Sequence, residues 1–565
     1  MDGTRSFFLR RYASTLAIVA VYLALVAASS LRTGFDPIAS LRDLPGGFVW
    51  LFEHFMPTAG SFDKLPRILS ALGSTVLDAV AASFIAAVLA YVLALLASRS
   101  VGFGGIVRLI IRGFATILRN IPTVAWAFIL VFSFRQSEFT GFLVLFMKSF
   151  GFLIRSFIET MDELSNDTLD ALRASGASRL QIIAHGVIPL TIAQAVSWIM
   201  YQLETNVRDA TLVGMLTGTG IGFVFELYYR TFRYDTAGLV ILSIVVVAMS
   251  CEAISNFVRR RVMNKVLADE TGAADGKKTV SEAAGNENPT GARLTSGGKI
   301  KIRALGGSDM ILRITLGVLL VLTAITFAFM NYNGVDLLDA TRGAFNNMSV
   351  IAFSPGTDGY WTMDELFNDL ILTLALAVVT TLIGALLALA IALPASCNLT
   401  NRIVSNAIKL VLSFVRAVPT IVWVLIFIVA ISLGAEACIV GMMFHTTAFL
   451  AKAFSEAFEE IDRDVLDALY ATGASWWQVV THCVIPEKLN EILSWTFIRF
   501  ENNFVNAVVI AAMCGSGGIG YQLYLAANFY FSMHAVGLIT YMCLAVSAIL
   551  EIISSQLRKR FLVNK

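Results

Sequence analysis

Arg119 and Arg416 each stand three residues ahead of a proline, in ILRNIPTVAWAFILVF from Ile117 and FVRAVPTIVWVLIFIV from Phe414, and a threonine, Thr123 or Thr420, follows each proline. A guanidinium is planar, permanently charged and presents paired donors that suit a tetrahedral oxyanion. Beside a proline-interrupted helix it is either a cationic step for an anionic solute or an anchor reaching lipid headgroups. Glu204, Asn206 and Arg208 make a second polar group, matched by Glu501 and Asn503, with Val505 in place of the arginine. The four-residue spacing gives Glu204 and Arg208 an intrahelical pair, and Asn206 and Asn503 can offer neutral donors to a solute. A carboxylate alone repels a dianion, so the glutamates are assigned to structure or gating. Counted from Pro189, Glu204 lies about 22 Å along its helix, which places it in the outer half of a membrane.

No catalytic constellation accompanies these groups. GSGGIG, from Gly515, fits a dinucleotide loop by letter but lacks the acidic residue about 20 positions on, so Gly218, Gly220, Gly222 and their counterparts read as a close-packed or broken helix. The chain has no G-x-x-x-x-G-K-[ST] run, which assigns any ATP hydrolysis to another chain. His185 and His482 have no nucleophile or metal spacing around them, and the six cysteines show no paired spacing. The chain itself is therefore expected to bind no cofactor or metal and not to be an enzyme.

The elements that must position these residues are membrane helices. Of 565 residues, 57% are apolar and 15% charged, well below the roughly 25% charge of soluble domains. Apolar runs such as Ala13 to Ala28, Leu72 to Leu96 and Leu239 to Met249 can, with their flanks, cross a bilayer as helices, and no series of alternating strands suggests a barrel. The basic, apolar, small-residue order at the start reads as a retained span, because Ile311 to Met330 repeats it internally. The expected fold is all-α and integral to the membrane, with about twelve spans in two parallel six-helix repeats. Residues 1–261 form the first half, 262–305 a polar linker rich in Gly, Ala and Asn, and 306–565 the second half. Arg and Lys clusters, among them Arg259 to Arg261 and Arg558 to Arg560, put both termini in the cytosol.

The most faithfully repeated segment is half polar. DTLDALRASGASRLQIIAHGVIP from Asp167 and DVLDALYATGASWWQVVTHCVIP from Asp464 agree at 14 of 23 positions, at a constant offset of 297. Ser165 or Asn166, and Asp464 or a neighbour, can cap a short helix; Gly176 and Gly473 suit a left-handed turn; Ser178 with Gln181, and Ser475 with Gln478, can close a capping box on a second helix. A first helix of about ten residues is marginal alone in water and needs something to dock against. It either lies on headgroups or its own bundle, or serves as a rigid knob for a partner; few basic residues argue against nucleic acid.

Asp170, Ala171, Leu172, Gly176 and Pro189, and again Asp467, Ala468, Leu469, Gly473 and Pro486, resemble the EAA loop of ABC importer permeases, with Asp for Glu and Leu for the second Ala. LETNVRDATLVGMLTGTGIG from Leu203, FENNFVNAVVIAAMCGSGGIG from Phe500 and the R-x-x-P-T segments are similar to phosphonate-type permeases, here with two halves fused. The resemblance implies a type I ABC importer permease fold in a bacterial cytoplasmic (inner) membrane. It implies ATPase coupling through Asp170, Ala171, Gly176, Asp467, Ala468 and Gly473, and a substrate pathway along Arg119, Thr123, Glu204, Asn206, Arg208, Arg416, Thr420, Glu501 and Asn503. The implied partners are two copies of a cytosolic ABC ATPase, which hold ATP and Mg, and one extracytoplasmic substrate-binding protein. The implied cargo is phosphonate or a related phosphorus oxyanion. Another solute for the same machinery (phosphate, phosphite, an amino acid) and an ion-coupled secondary transporter are the rivals.

Overall fold

The computed structural model describes residues 20–164, 166–279, 292–294, 300–302, 307–332, 334–431 and 434–562. Residues 13–19 of the expected first span and Ser165, one of the expected caps, lie outside them. The first half contains α1 (Ala20–Thr33), α2 (Pro37–His54), α3 (Leu65–Ala97), α4 (Gly105–Asn120), α5 (Thr123–Phe134), α6 (Glu138–Asp162), α7 (Asn166–Ala174), α8 (Arg179–Ile182), α9 (Ile188–Thr217), α10 (Gly220–Arg230) and α11 (Tyr234–Thr279). The second half repeats the order as α12 (Gly307–Phe329), α13 (Leu337–Phe353), α14 (Met363–Ala395), α15 (Arg402–Ala417), α16 (Thr420–Ala430), α17 (Ala435–Glu459), α18 (Arg463–Ala471), α19 (Trp476–Val479), α20 (Ile485–Cys514), α21 (Ile519–Asn528) and α22 (Met533–Leu562). Between them, within the expected linker, α11 runs on to Thr279 and two three-residue strands, Ala292–Leu294 and Ile300–Ile302, pair antiparallel.

Among the described residues, eight helices are long and apolar enough to cross a bilayer, three bent pairs pass the same test together, and α1 is a shorter apolar helix. Eight spans are thus continuous helices, four in each half, and counting each bent pair as one span raises the number to eleven against the expected twelve, with α1 the shorter apolar helix at the twelfth place. Two of the bends fall at the R-x-x-P-T segments: α4 and α5 meet at 92°, α15 and α16 at 87°. Pro122 and Pro419 lack the amide hydrogen a continuous helix would use, and the helix restarts after each. Trp126 Nε1 donates across the first bend to the Leu118 carbonyl, and Trp423 Nε1 across the second to Val415 (3.1 Å). The arm before each bend is strongly two-faced. Its apolar side chains, Ile106, Leu109 and Ile110 in α4 and Ile403, Leu410 and Val411 in α15, are exposed as on a helix lying in the membrane interface.

The arm after each bend is apolar all round and mostly buried, with none of its residues exposed. At about 18 Å for its 12 residues, α5 falls short of a bilayer core of about 30 Å. It packs against α13, α20 and α22 of the other half, while α16 packs against α2 and α20. Three of the apolar cores mix residues from both halves. The first spans are exchanged as well. Tyr22 on α1 hydrogen-bonds the Leu382 carbonyl of α14 and Arg32 reaches Asn368 (2.9 Å), whereas Thr326 on α12 donates to Leu77 of α3 (3.1 Å).

The glycine segments break helices, as expected. α9 ends on Gly218 and α20 on Gly515, both left-handed. The following helices α10 and α21 return so closely that a Cβ on Gly222 would lie 1.9 Å from the Thr211 carbonyl oxygen, and one on Gly520 1.9 Å from that of Val508. Thr75 of α3 and Thr373 of α14 accept from the first free amides of the returning helices, Ile221 (2.8 Å) and Ile519 (3.0 Å).

Candidate functional site

Each repeated half-polar segment folds as a helix, a tight turn and a second helix. Gly176 (φ +80°) and Gly473 (φ +84°) take the left-handed turn position, and the Ala177 amide closes the first turn back onto Leu172. Both capping boxes form, Ser178 with Gln181 and Ser475 with Gln478. The cap of α18 is Asp462, two residues ahead of Asp464. A wide π-turn, Ile183–Val187 or Val480–Val484, then leads into the long span beneath Pro189 or Pro486. Each π-turn ends within two residues of the proline, where a normal helix would press the ring on the carbonyl four residues back.

One face of the unit packs inward and one faces out. Leu169 and Leu466 are buried. Gly186 lets Leu169 and Leu172 pack close, since a Cβ there would meet them at 3.1 and 2.9 Å. Arg173 donates to the Ser100 carbonyl after α3, and Trp476 to the Leu399 carbonyl after α14. Asp170 and Ala171, Asp467 and Ala468, with Leu180, Val465 and Trp477, lie exposed on the other side. The short helix thus has part of its dock in its own bundle, and its outward face is covered by nothing among the described residues.

Arg119 and Arg416, the expected cationic steps, both cross to the opposite half. Arg119 pairs with Glu551 (2.8 Å) on α22 and Glu501 (3.2 Å) on α20. Arg416 lies 3.6 Å from Glu252 on α11. The neighbours are also equivalent: Arg155 joins Glu551, and Lys452, 297 residues later, joins Glu252 at 3.4 Å. Asn120 completes the Glu551 site with a 3.0 Å hydrogen bond. Thr123 and Thr420 open α5 and α16 beside these clusters and are half-buried. The joint between the halves is thus held by two related ion-pair clusters, each drawing cations from one half and a carboxylate from the other's last span.

Glu204 makes the expected pair with Arg208 (2.9 Å), and Arg259 approaches it at 3.7 Å. That contact corrects the expected depth. Arg259 belongs to the basic cluster that closes the apolar stretch Tyr234–Val262 of α11, and Glu501 meets Arg119 at the end of α4, so both glutamates lie at the level of these basic residues. Helix α9 begins as an extension of α8 and the π-turn, and a count from Pro189 overstates how far it has entered the membrane.

Asn206 and Asn503 are fully buried latches inside their own halves. Asn206 donates to Ser83 of α3 (2.9 Å) and Ser149 of α6 (2.7 Å) and accepts from Gln202 (3.0 Å). Asn503 donates to Thr381 (2.9 Å) and accepts from Thr446 (3.1 Å). Their polar groups are therefore occupied by helix-to-helix bonds. Asn206→Ala is expected to lower the stability of the purified protein by about 1–3 kcal/mol, since Ser83 and Ser149 lose a partner in a buried setting, and to leave the KM for transport unchanged. Thermal unfolding and initial uptake rates measure the two effects.

Sequence reading missed Arg155, Glu252, Lys452, His445, Arg499 and Glu551. A carboxylate inside an apolar last span is costly and asks for a partner, so Glu252 and Glu551 carried a usable signal. Arg155 and Lys452 carried another, a cation kept at the repeat offset.

The model for binding-protein-dependent transport system inner membrane components matches residues 90–266 and 381–562. The chain is 24% identical over 500 residues, 88% of its length and 86% of the relative's, to the phosphate-import permease protein PhnE of Mycolicibacterium smegmatis. It is 30% identical over 234 residues to the phosphite transport system permease protein PtxC of Stutzerimonas stutzeri, covering 40% of this chain and 83% of that one. It is 33% identical over 122 residues to the putative cryptic phosphonate transport system permease protein PhnE2 of Escherichia coli, covering 22% of this chain and 98% of that one.

Proposed function

Because the chain belongs to the family of binding-protein-dependent transport system inner membrane components, we propose that its cargo is phosphonate or a related phosphorus oxyanion such as phosphate or phosphite. Its class is settled by that membership: it is a multi-pass membrane permease of an ABC importer, with a tandem all-helical fold, and not an enzyme. The cargo assignment is supported above all by the similarity to a phosphate-import permease along 88% of the chain. Phosphite and phosphonate permeases share the same chemistry of ligand, a tetrahedral phosphorus centre with charged oxygens.

In this reading the two outward faces around Asp170, Ala171 and Gly176 and around Asp467, Ala468 and Gly473 each seat one cytosolic ABC ATPase, which holds ATP and Mg. One extracytoplasmic binding protein delivers the anion to the opposite side. Both termini then lie in the cytosol of a bacterium, and closure of the ATPases moves the coupling units, which pull on α9 and α20 through the π-turns. The capping boxes and left-handed glycines give each unit the stiffness to transmit that motion. Growth of a deletion strain on phosphonate, phosphite, phosphate or a non-phosphorus nutrient as the single limiting source tests the cargo. Loss on at least one phosphorus oxyanion is expected, and unimpaired growth on all three with a defect on another solute would overturn the assignment.

A further inference from the structure

The two ion-pair clusters are related by the repeat, but their charge is not. Around Glu501, Glu551 and the more exposed Glu159, two cations, Arg119 and Arg155, face three carboxylates. Lys148 and Asp209, near Arg208, neutralise each other. The other cluster is overloaded with positive charge. Glu204 and Glu252 are approached by Arg208, Arg259, Arg416 and Lys452, and Arg499 on α20 stands within electrostatic range of Arg416. Even with exposed Glu456 credited to Lys452 at 3.9 Å, five cations face three carboxylates.

Arg499 is the least compensated of them. It is 5% exposed, lies over the Phe449 ring at 5.2 Å and donates through Nε to Thr446 (3.2 Å). No carboxylate among the described residues is within ion-pair distance of it. Its Nη2 is cut off from solvent without a hydrogen-bond partner, as is Nη1 of Arg416 but for Glu252 at 3.6 Å, and buried His445, with the Val418 backbone beside it, is within electrostatic range of both arginines and of Arg208. A buried guanidinium with an unmet donor is strongly unfavourable unless something else meets it. Packing does not require the arginine either. Gln202 holds the equivalent position in the first half and bonds Ser149 and Asn206, whose counterparts beside Arg499 are Thr446 and Asn503.

We propose that Arg499 and Arg416, with His445 beside them, form a one-sided binding site for a tetrahedral oxyanion dianion at the joint between the halves. The cluster's excess of two positive charges matches the charge of such a ligand, and two guanidinium forks supply its donors. Because the partner cluster at Glu551 has no positive charge to spare, the anion is held against the second half alone, so the two sides of this fused permease are chemically unequal at the step where cargo passes. The occupant's identity as cargo rests on the phosphorus-oxyanion reading above; the site itself does not. Arg416 serves both as a ligand here and as a contact of Glu252, which lets an arriving anion compete for it and loosen that link between the halves.

The test compares wild type, Arg499→Gln and Arg499→Lys in the assembled complex, with radiolabelled inorganic phosphate as the probe. Equilibrium binding and ATP-driven uptake are read in vesicles of zwitterionic lipid, with and without anionic lipid. Arg499→Gln copies the first-half residue, so assembly should survive, as size-exclusion chromatography and thermal unfolding of the complex will show. Binding and uptake are expected to fall roughly tenfold or more, the loss of a charge-assisted contact, with partial recovery in Arg499→Lys and no dependence on anionic lipid. Unchanged binding in Arg499→Gln overturns the site, as does a defect that follows anionic lipid and so marks a headgroup. Phosphate binding through Arg499 in a wild type that imports no phosphorus oxyanion would uphold the site and overturn the cargo reading instead.

Discussion

Gly473→Val is expected to abolish ATP-driven uptake while leaving the permease folded and its partners' basal ATP hydrolysis intact. Gly473 sits at φ +84° with open space around the position a Cβ would take. The obstacle to valine is therefore backbone conformation, which for a β-branched residue at positive φ costs about 1–3 kcal/mol. Gly473 itself is exposed, so the chain can relieve that strain by a local shift of the turn while Leu466 and Val479 stay in the apolar core they share with the spans. Relief at that point changes the shape of the face carrying Asp467 and Ala468, and a coupling knob with the wrong shape transmits nothing. Uptake should fall by more than about tenfold relative to hydrolysis, because a misfit of 1.4 kcal/mol or more is a factor of ten. Gly473→Ala should give a partial defect, and Gly176→Val should reproduce the effect from the other half. Retained coupling in both valine variants, measured as solute imported per ATP hydrolysed, would remove the docking role from these segments.

The second large effect is expected at the joint. Glu551→Gln removes the carboxylate that Arg119 and Arg155 share, leaving Glu501 to Arg119 and the more exposed Glu159 to Arg155. Breaking a fully buried pair costs about 3–5 kcal/mol. Here the arginine is 26% exposed and the glutamate 11%, so solvent screening reduces the figure to about 2–3 kcal/mol. Because the link runs between the halves, the loss should appear as separation of the two halves in a chain cut within residues 280–291 and as a lowered Tm in the intact one. Adding Arg119→Gln should restore part of the stability, since the double variant no longer leaves that charge unpaired. A double variant no more stable than Glu551→Gln alone, in thermal unfolding of the detergent-purified protein, would mean that the pair contributes nothing to the joint.

What was legible in the sequence was what is local. Ser178 with Gln181 and Ser475 with Gln478 are three residues apart, and Gly176 and Gly473 follow helices whose ends they close, so the coupling units could be read residue by residue. Glu204 with Arg208 is likewise a contact along one helix. The joint was not legible because its partners are far apart in the chain: Arg119 and Glu501 are separated by 382 residues, and nothing in either segment names the other. Exchange of α1 and α12 between the halves was hidden for a related reason, since an apolar run declares that it is buried in lipid or protein but not against which neighbour. Helices α2 and α13, capped by Asp36 and Asp336, went unseen because each is a short run beside a longer one.

The asparagines show the opposite failure. Asn206 and Asn503 recur in both halves, and recurrence made them candidates for cargo, yet they recur because both halves need the same latch between helices. Arg499 was passed over because it does not recur: Gln202 stands in its place, and a search keyed to matching positions discards a residue in which the copies differ. In a fused pair the shared residues build the common scaffold, and the unshared charged ones are where the two sides can take different work.

The measurement that bears most directly on the central claim is uptake of labelled phosphonate and phosphate into proteoliposomes holding this chain, with and without its ATPase and binding protein. Accumulation that requires both partners and ATP, and stops in Gly473→Val, is the expected result. Accumulation by the chain alone under an ion gradient, with no nucleotide present, would contradict the account.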